Sequence, residues 1–496
     1  MNTKLLKQKI LDLAIRGKLT QQLKSDGTAA DLLTQISDER RKTRDERKGT
    51  RSKKSGVILS EAQSAKSKDL GQIIPLDKSE APFEIPTNWE WVRLGDLCNA
   101  SSGKTPSTSQ KEFWNGNVLW VTSKDVKQKY IDSTQICLSD LGASSMQLYP
   151  PKTMIIVGRS GILRHSLPVA ILKKSATVNQ DLKALVFKDD RIVEFVYAVI
   201  KGMEQHLLHE YKKAGTTVDN LNFDLFLTAP IPLPPLAEQQ RIVEKIQEAF
   251  AEIDSIENNK ELLKSHIKQA RQKILDLAIH GRLVPQNKTD EPASVLLERI
   301  TRDNPHYEKL TDIPFEIPDS WEWVKLGNIC TISSAKRVLK EDWKETGIPF
   351  YRAREIAQLA NGEIVKDDLF ITKELYESLK DLYGVPQTGD ILMSAVGTIG
   401  KTYIVNKDDC FYYKDASVIC LKKKHADISS KYLKMLFSSN YLQKQMFANS
   451  NGTTVDTITI SIAQGYTIPF PPLAEQKRIV NKIEELFNEL DFFKNV

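Results

Sequence analysis

The amino-acid sequence predicts a mixed α/β (α+β) chain in which two globular domains are separated by two long coiled-coil helices, arranged as a pseudo-two-fold circular repeat. Three observations predict it. Blocks of sequence recur at fixed offsets, one long segment lacks Gly and Pro altogether, and the stretches between the repeats alternate short apolar runs with Gly and Pro turns. At 496 residues the chain also exceeds the ~250–300 residues at which single cores stop growing, so two or more units are required.

Taken in order, the N-terminal helix (1–23) carries Gln8-Lys9-Ile10-Leu11-Asp12-Leu13-Ala14-Ile15, which returns as Gln272 to Ile279 at an offset of 264. A helical and basic linker (24–81) follows. Its Asp31-Leu32-Leu33-x-x-Ile36 is echoed by Val295-Leu296-Leu297-x-x-Ile300, and Arg40 to Lys54 holds nine Lys/Arg against two acids, the composition of a solvated connector. The first globular domain (82–233) opens with PFEIPTNWEWVRLGDLC at Pro82, which recurs at Pro314 as PFEIPDSWEWVKLGNIC, offset 232. The smaller offset leaves 32 additional residues between the blocks of the first copy.

The central segment (234–284) contains 45 residues, Leu236 to His280, without Gly or Pro. Its apolar positions, Ile242, Ile246, Ala249, Ile253, Ile256, Leu263, Ile267, Ala270, Ile274 and Leu277, step by four and three with only Lys260 interrupting, which is the heptad pattern of a helix packed along another helix. At 1.5 Å per residue it would reach about 67 Å. A second linker (285–313), a second globular domain (314–470) and a C-terminal helix (471–496) complete the chain. PPLAEQxRIVxKI at Pro234 and Pro471, and GTTVD at Gly215 and Gly452, share an offset of 237. The C-terminal helix repeats the first half of the central seam with Ile479, Ile483, Leu486, Leu490 and Phe493, and the N-terminal helix repeats the second half with Leu6, Ile10 and Leu13. Val496 aligns with position 259 and Met1 with position 265. The chain therefore reads as a ring opened inside one of its two long helices, with both terminal helices end to end beside the central one.

Composition excludes several classes. Hydrophobic residues at 41% and charged residues at 27% fit a folded protein and not a fibrous or low-complexity one. No run approaches the ~18 apolar residues of a membrane span, and the polar start MNTKLLKQKI lacks a secretory core, so no membrane association and a cytoplasmic location are expected. The five cysteines form no CxxC or CxxH spacing, which predicts buried reduced thiols and no metal site. A net charge of +6 permits nucleic-acid binding without arguing for it.

Catalytic motifs fail one by one. Ala395-Val396-Gly397-Thr398-Ile399-Gly400-Lys401-Thr402 has Ala where a phosphate loop needs its first Gly, and Ser102-Gly103-Lys104-Thr105 has Cys98 there. Gly397 and Gly400 are better read as shaping a hairpin that presents Lys401. Asn304-Pro305-His306-Tyr307 is a near miss for the motif that holds a flipped adenine, and no Gly-rich cofactor loop accompanies it. No active site is expected, and no cofactor is expected in this chain.

Polar groups suited to DNA do recur in both domains. Thr122, Ser123 and Lys124 suit phosphates or base edges, and Arg352 and Arg354 suit guanine in the major groove. Arg159, Ser160, Arg164, Ser394 and Lys401 surround Gly-rich turns, while Thr216, Thr217, Thr453 and Thr454 belong to the repeated GTTVD turns. Lys104, Thr105, Lys336 and Arg337 complete the candidate DNA-contacting set. The Trp-x-Trp pairs, Trp89 with Trp91 and Trp321 with Trp323, are expected to pack at strand heads.

As a set, PPLAEQQRIVEKI, the heptad helix leading to KILDLAIHGRL, PFEIPxxWEWVxLG and the second PPLAEQKRIVNKI resemble the specificity subunits of type I restriction–modification systems. The resemblance covers nearly the whole chain. It implies two target recognition domains, each reading one half of a bipartite, asymmetric sequence in double-stranded DNA. It implies two antiparallel helices that set the spacer and dock two methylation subunits, with restriction subunits added in the full complex. S-adenosylmethionine, ATP and Mg would then be bound by the partner subunits. The basic linker is the main departure from the family pattern.

Overall fold

The computed structural model describes residues 2–38, 73–215, 218–302, 307, 310–366, 368–448 and 456–494. The basic run Arg40 to Lys54, the segment Asn304 to His306, and the termini Met1 and Val496, whose closeness the repeat implied, lie outside the described residues. Two compact units are formed, Met1–Asn258 and Asn259–Val496. The division falls inside the central helix at the position that the repeat aligns with the C-terminus, so each unit is one copy of the circularly shifted repeat.

The Gly- and Pro-free segment forms a single helix of 44 residues, Leu236–Ile279. Along it Ile242, Ile246, Ile253 and Ile267 are buried, and Ile274 packs against the core of the C-terminal unit. The seam does not run through its middle as expected. Ile256 and Leu263 are 51% and 40% exposed. In the N-terminal unit, helix Thr3–Ile15, capped by Asn2 Oδ1 accepting from Leu5 N at 3.0 Å, runs antiparallel to the first half of the long helix. Thr3 Oγ1 donates to Glu257 at 3.2 Å, while Lys7 pairs with Asp254 and lies 5.4 Å over the Phe250 ring. Arg271 takes the place of Lys7 in the C-terminal unit, pairing with Asp491 at 2.7 Å and lying 4.6 Å over Phe487. Its helix Leu473–Lys494 buries Ile479 and Ile483, with Leu486 and Leu490 partly buried.

One part of the heptad reading needs correction. Leu6 is 37% exposed and Ile10 and Leu13 are only partly buried, whereas Leu11, Ala14 and Ile15 are buried. The reason is competition between two apolar partners. Leu11, Ala14 and Ile15 pack into the core of the globular domain, with Leu11 and Ile15 against Gly202 at the end of helix Val193–Gly202, so the domain takes the most apolar stripe. Leu275, Ala278 and Ile279 are buried at the equivalent positions of the C-terminal unit.

The globular part of the N-terminal unit is built on a five-stranded sheet in the order Cys98–Ser102, Leu182–Phe187, Met154–Val157, Val169–Leu172 and Tyr130–Ile131. Met154–Val157 and Val169–Leu172 are buried at every position, as continuous apolar runs require when both faces of a sheet are covered. A second sheet orders Cys137–Leu138, Trp114–Val121 and Ala176–Val178, and a third orders Lys212–Lys213, Asp219–Leu221 and Arg159–Ser160. In the C-terminal unit the main sheet has four strands, Cys330–Ser334, Val418–Lys423, Ile391–Ser394 and Thr402–Ile404. A smaller sheet there joins Phe370–Ile371, Ile348–Tyr351 and Tyr412–Tyr413. The divergent blocks fold differently: Lys111–Phe113 is a short 3-10 turn before an irregular strand, whereas Lys373–Tyr383 is a helix.

The repeated motifs meet at one junction in each unit. Strand Glu90–Arg93 pairs with Pro230–Leu233, and Glu322–Lys325 with Thr467–Phe470. The tryptophans are 3–5% exposed, as expected for packing residues. Trp89 Nε1 donates to Glu238 and Trp321 Nε1 to Glu475, both at 2.9 Å. Gln22 and Gln286 donate to the same two carboxylates, while Arg241 pairs with Asp26 and Arg478 with Asp290, each at 2.6 Å. Gln239 and Gln476 donate to the Pro234 and Pro471 carbonyls at 2.8 and 2.9 Å. The PPLAEQ motif thus places a buried Glu and Gln at the start of each helix to tie it to the WEW strand.

Burial raises the Glu238 and Glu475 carboxyls above the usual range, with the Trp and Gln hydrogen bonds working against it. A carboxyl whose folded pKa is raised contributes stability below its unfolded pKa that is lost as pH rises through the folded one. Glu475→Gln should therefore gain stability relative to the wild type as pH rises from about 4 to 7, as followed by denaturant unfolding. A difference that stays flat, or shrinks, over that range would contradict this assignment.

Cys98, Cys330 and Cys420 are buried, and burial pushes their thiols up to about 12. Cys137 is partly buried, and Cys410 departs from expectation by being exposed. Among the described residues no helix is long and apolar enough to cross a membrane.

Candidate nucleic-acid interface

In the N-terminal unit, three loops converge because main-chain hydrogen bonds tie them to the turn Asn179-Gln180-Asp181 and the strand end before it. Lys104 N donates to Val178 O at 3.0 Å, Asn179 N to Val121 O at 3.0 Å, and Gly158 N and Arg159 N both donate to Asp181 O, at 2.8 and 3.2 Å. This brings Lys104, Thr105, Thr122, Ser123, Lys124 and Arg159 around one turn, with Lys104, Thr105, Lys124 and Arg159 exposed. Gly103 is required by this geometry. A Cβ there would lie 2.0 Å from Val178 O and 2.4 Å from Asn179 O, so only Gly lets the Lys104 loop approach.

Several of these side chains already have protein partners. The Thr122 hydroxyl and N–H both bond Asp125 Oδ2, at 2.7 and 2.8 Å, which fixes the Thr122–Asp125 turn and leaves Lys124 projecting. Ser160 Oγ accepts from Ile162 N at 3.3 Å and shapes the following turn. Arg164 lies 3.9 Å from Asp219, whose carboxyl is held below the usual range, chiefly by the Gly215 N–H and also by Lys212. Thr216 and Thr217 lie outside the described residues.

In the C-terminal unit, Arg352 and Arg354 grip the same two carboxylates. Arg352 reaches Glu355 at 2.9 Å and Asp368 at 2.7 Å, and Arg354 reaches each at 2.7 Å. Burial works to raise the Glu355 carboxyl, but hydrogen bonds from Arg352 and Arg354 outweigh it and hold it below its ordinary value. The two guanidiniums are thus oriented by acids, with Arg354 the more exposed at 60%. Lys336 N donates to the Tyr412 hydroxyl at 3.1 Å and its ammonium lies 5.1 Å over Tyr383. Arg337 is 73% exposed and pairs with Asp415 at 3.2 Å.

Ser394 requires a correction. It is fully buried, its hydroxyl donates to Thr398 O at 2.5 Å and accepts from Lys401 N at 3.0 Å, so it closes the turn and faces no solvent. The turn is the hairpin that Gly397 and Gly400 suggested: strands Ile391–Ser394 and Thr402–Ile404 pair antiparallel, both glycines have positive φ, and Lys401 is exposed. Thr453 and Thr454 lie outside the described residues.

Sequence reasoning missed the turn Asn179-Gln180-Asp181 and the basic pair Lys212-Lys213, which shares a small sheet with Arg159, separated from it by strand Asp219–Leu221. Lys212-Lys213 stands one residue before the repeated GTTVD motif and was available as a signal. Nothing in the local sequence marked Gln180, because its importance comes from loops up to 75 residues distant.

The family model of the Type I restriction modification DNA specificity domain matches residues 86–265 and 318–495. The Type I restriction enzyme EcoAI specificity subunit of Escherichia coli is 24% identical over 573 aligned residues, covering 99% of this chain and 90% of that one. The Type I restriction enzyme EcoR124I/EcoR124II specificity subunit, also of Escherichia coli, is 36% identical over 158 residues, 31% of this chain and 39% of that one. A chain solved for the structural basis of complex assembly and conformational transition of the type I R-M system shares the fold, with a TM-score of 0.53 at 19% identity, over 84% of this chain and 94% of that one. With two copies of the domain spanning most of its length, the protein belongs to the type I restriction modification DNA specificity domain family: it is a specificity subunit with two target recognition domains, and its part is recognition of DNA sequence, not catalysis.

Proposed function

We propose that each unit reads one half of a bipartite, asymmetric duplex site, and that the long helices set the spacer and dock two methylation subunits. S-adenosylmethionine, ATP and Mg belong to the methylation and restriction subunits, and the complex works in the cytoplasm. The observation that carries this reading is the duplicated junction with unlike tips. Trp89, Gln22 and Glu238 repeat as Trp321, Gln286 and Glu475, whereas the loops beyond them carry different side chains. Equivalent frames suit two identical partners, and different tips suit two different half-sites. The helix fixes separation and rotation between readers, so that half-site spacing follows from protein geometry. A net charge of only +6 suits a subunit whose partners share the phosphate contacts.

The test exchanges residues 82–233 for the matching block of a relative and maps methylated adenines genome-wide in cells supplying methylation subunits. One half of the recognised sequence should change while the other half and the spacer persist. A change in both halves would overturn the reading.

A further inference from the structure

Strand register makes the two tips directly comparable. Ser102 pairs with Lys183 in the N-terminal unit, and Ser334 pairs with Ile419 in the C-terminal unit. Three residues after those serines come Thr105 and Arg337, and three residues before Lys183 and Ile419 come Gln180 and Ala416. The two loops touch in both units with different chemistry. Thr105 Oγ1 donates to Gln180 Oε1 in one, and Arg337 Nε meets Asp415, the neighbour of Ala416, at 3.2 Å in the other. The fold preserves the contact and changes what it presents.

Gln180 is exposed on a turn whose two ends enter the buried strands Ala176–Val178 and Leu182–Phe187. Around this neutral amide stand the exposed cations Lys104, Lys124 and Arg159. Cations bind phosphates and place a protein on the duplex, whereas an amide or a guanidinium fork that can form two hydrogen bonds distinguishes bases. With Thr105 occupying one lone pair of Oε1, Gln180 keeps its second lone pair and both Nε2 hydrogens, which match the N6 donor and N7 acceptor of adenine. With Asp415 on Nε, Arg337 keeps its terminal nitrogens, which match O6 and N7 of guanine.

From this juxtaposition we infer that Gln180 and Arg337, projecting from opposite sides of the same loop–loop contact, are the specificity-determining side chains of the two units, Gln180 reading adenine in one half-site and Arg337 reading guanine in the other. Thr105 and Asp415 act as positioning residues. The inference rests on the proposal that each unit reads one half-site.

The experiment uses the full chain with its methylation subunits and maps methylated adenines for Gln180→Ala, Gln180→Glu, Thr105→Val and Arg337→Ala, with Lys124→Ala as the phosphate-contact comparison. Gln180→Ala should lower discrimination at one position of one half-site by about tenfold, the order expected for losing a bidentate base contact. Thr105→Val should loosen the same position, and Gln180→Glu should move its preference from adenine toward cytosine. Arg337→Ala should relax a guanine in the other half-site, and Lys124→Ala should weaken all sites alike. Unchanged preferences at every position, or a uniform loss like that of Lys124→Ala in variants that melt as the wild type does, overturns the assignment. If the exchange of residues 82–233 still changes one half-site, the failure belongs to these residues and not to the division of labour between units.

Discussion

Gly281→Ala is expected to destabilise the C-terminal unit by about 2–4 kcal/mol, the sum of left-handed strain and overpacking, and Gly17→Ala to do the same to the N-terminal unit. Both glycines stand just past the helix end with φ of +66° and +65°. Gly281 N donates to Ala278 O at 3.2 Å and Arg282 N to Leu277 O at 2.9 Å, and Gly17 and Lys18 repeat this with Ala14 and Leu13 at 3.1 and 2.8 Å. This is the αL stop that caps many helices. Here it does more than end a helix. A Cβ on Gly281 would lie 2.4 Å from Pro318 Cγ and 3.3 Å from the Trp321 ring, and one on Gly17 would meet Pro86 and Trp89 at 2.4 and 3.2 Å. The glycine of one repeated motif is therefore the socket for the Pro and Trp of the other. Against a typical stability of roughly 5–15 kcal/mol, the loss should be plain as an early transition in guanidinium unfolding of the full chain. A variant with wild-type midpoints would show that the junction yields and does not clamp.

Removing Ser255 to Glu261 should abolish methylation of sites with the original spacer. Those seven residues are exposed and lie between the buried Ile253 and Ile267, so two helical turns are lost without removing a core side chain. Deleting a heptad keeps the helix phase to within about 20° and shortens it by about 10 Å, the rise of roughly 3 base pairs. In methylome mapping, sites with the native spacing should fall at least tenfold while both half-site sequences stay recognisable. The variant's melting profile separates this outcome from unfolding, and retention of the native spacing would end the idea that the helix measures DNA.

The order of elements was legible because repetition and periodicity are properties of the linear chain. The helix expected over Leu236 to His280 runs Leu236–Ile279, and the strand at Met154–Val157 and the hairpin around Gly397 and Gly400 stand where Gly spacing and apolar runs put them. Heptad spacing shows that a helix has an apolar stripe, but not which of two neighbours takes it. Leu6 therefore reads as seam and lies exposed, while Leu11, Ala14 and Ile15 dock into a domain. Likewise, polar residues beside glycines are all equal on paper. Ser394 spends its hydroxyl inside a turn, and Arg352 and Arg354 are held by Glu355 and Asp368.

By itself the sequence determined that this protein is one unit written twice with a circular shift, since matching offsets survive without any coordinates. Only the tertiary structure decided which side chains stand at the tips. Gln180 meets Thr105, and Arg337 meets Asp415, through strand pairings between segments 75 or more residues apart. No local pattern encodes such a contact, because it is created when the strands align and not when they are written.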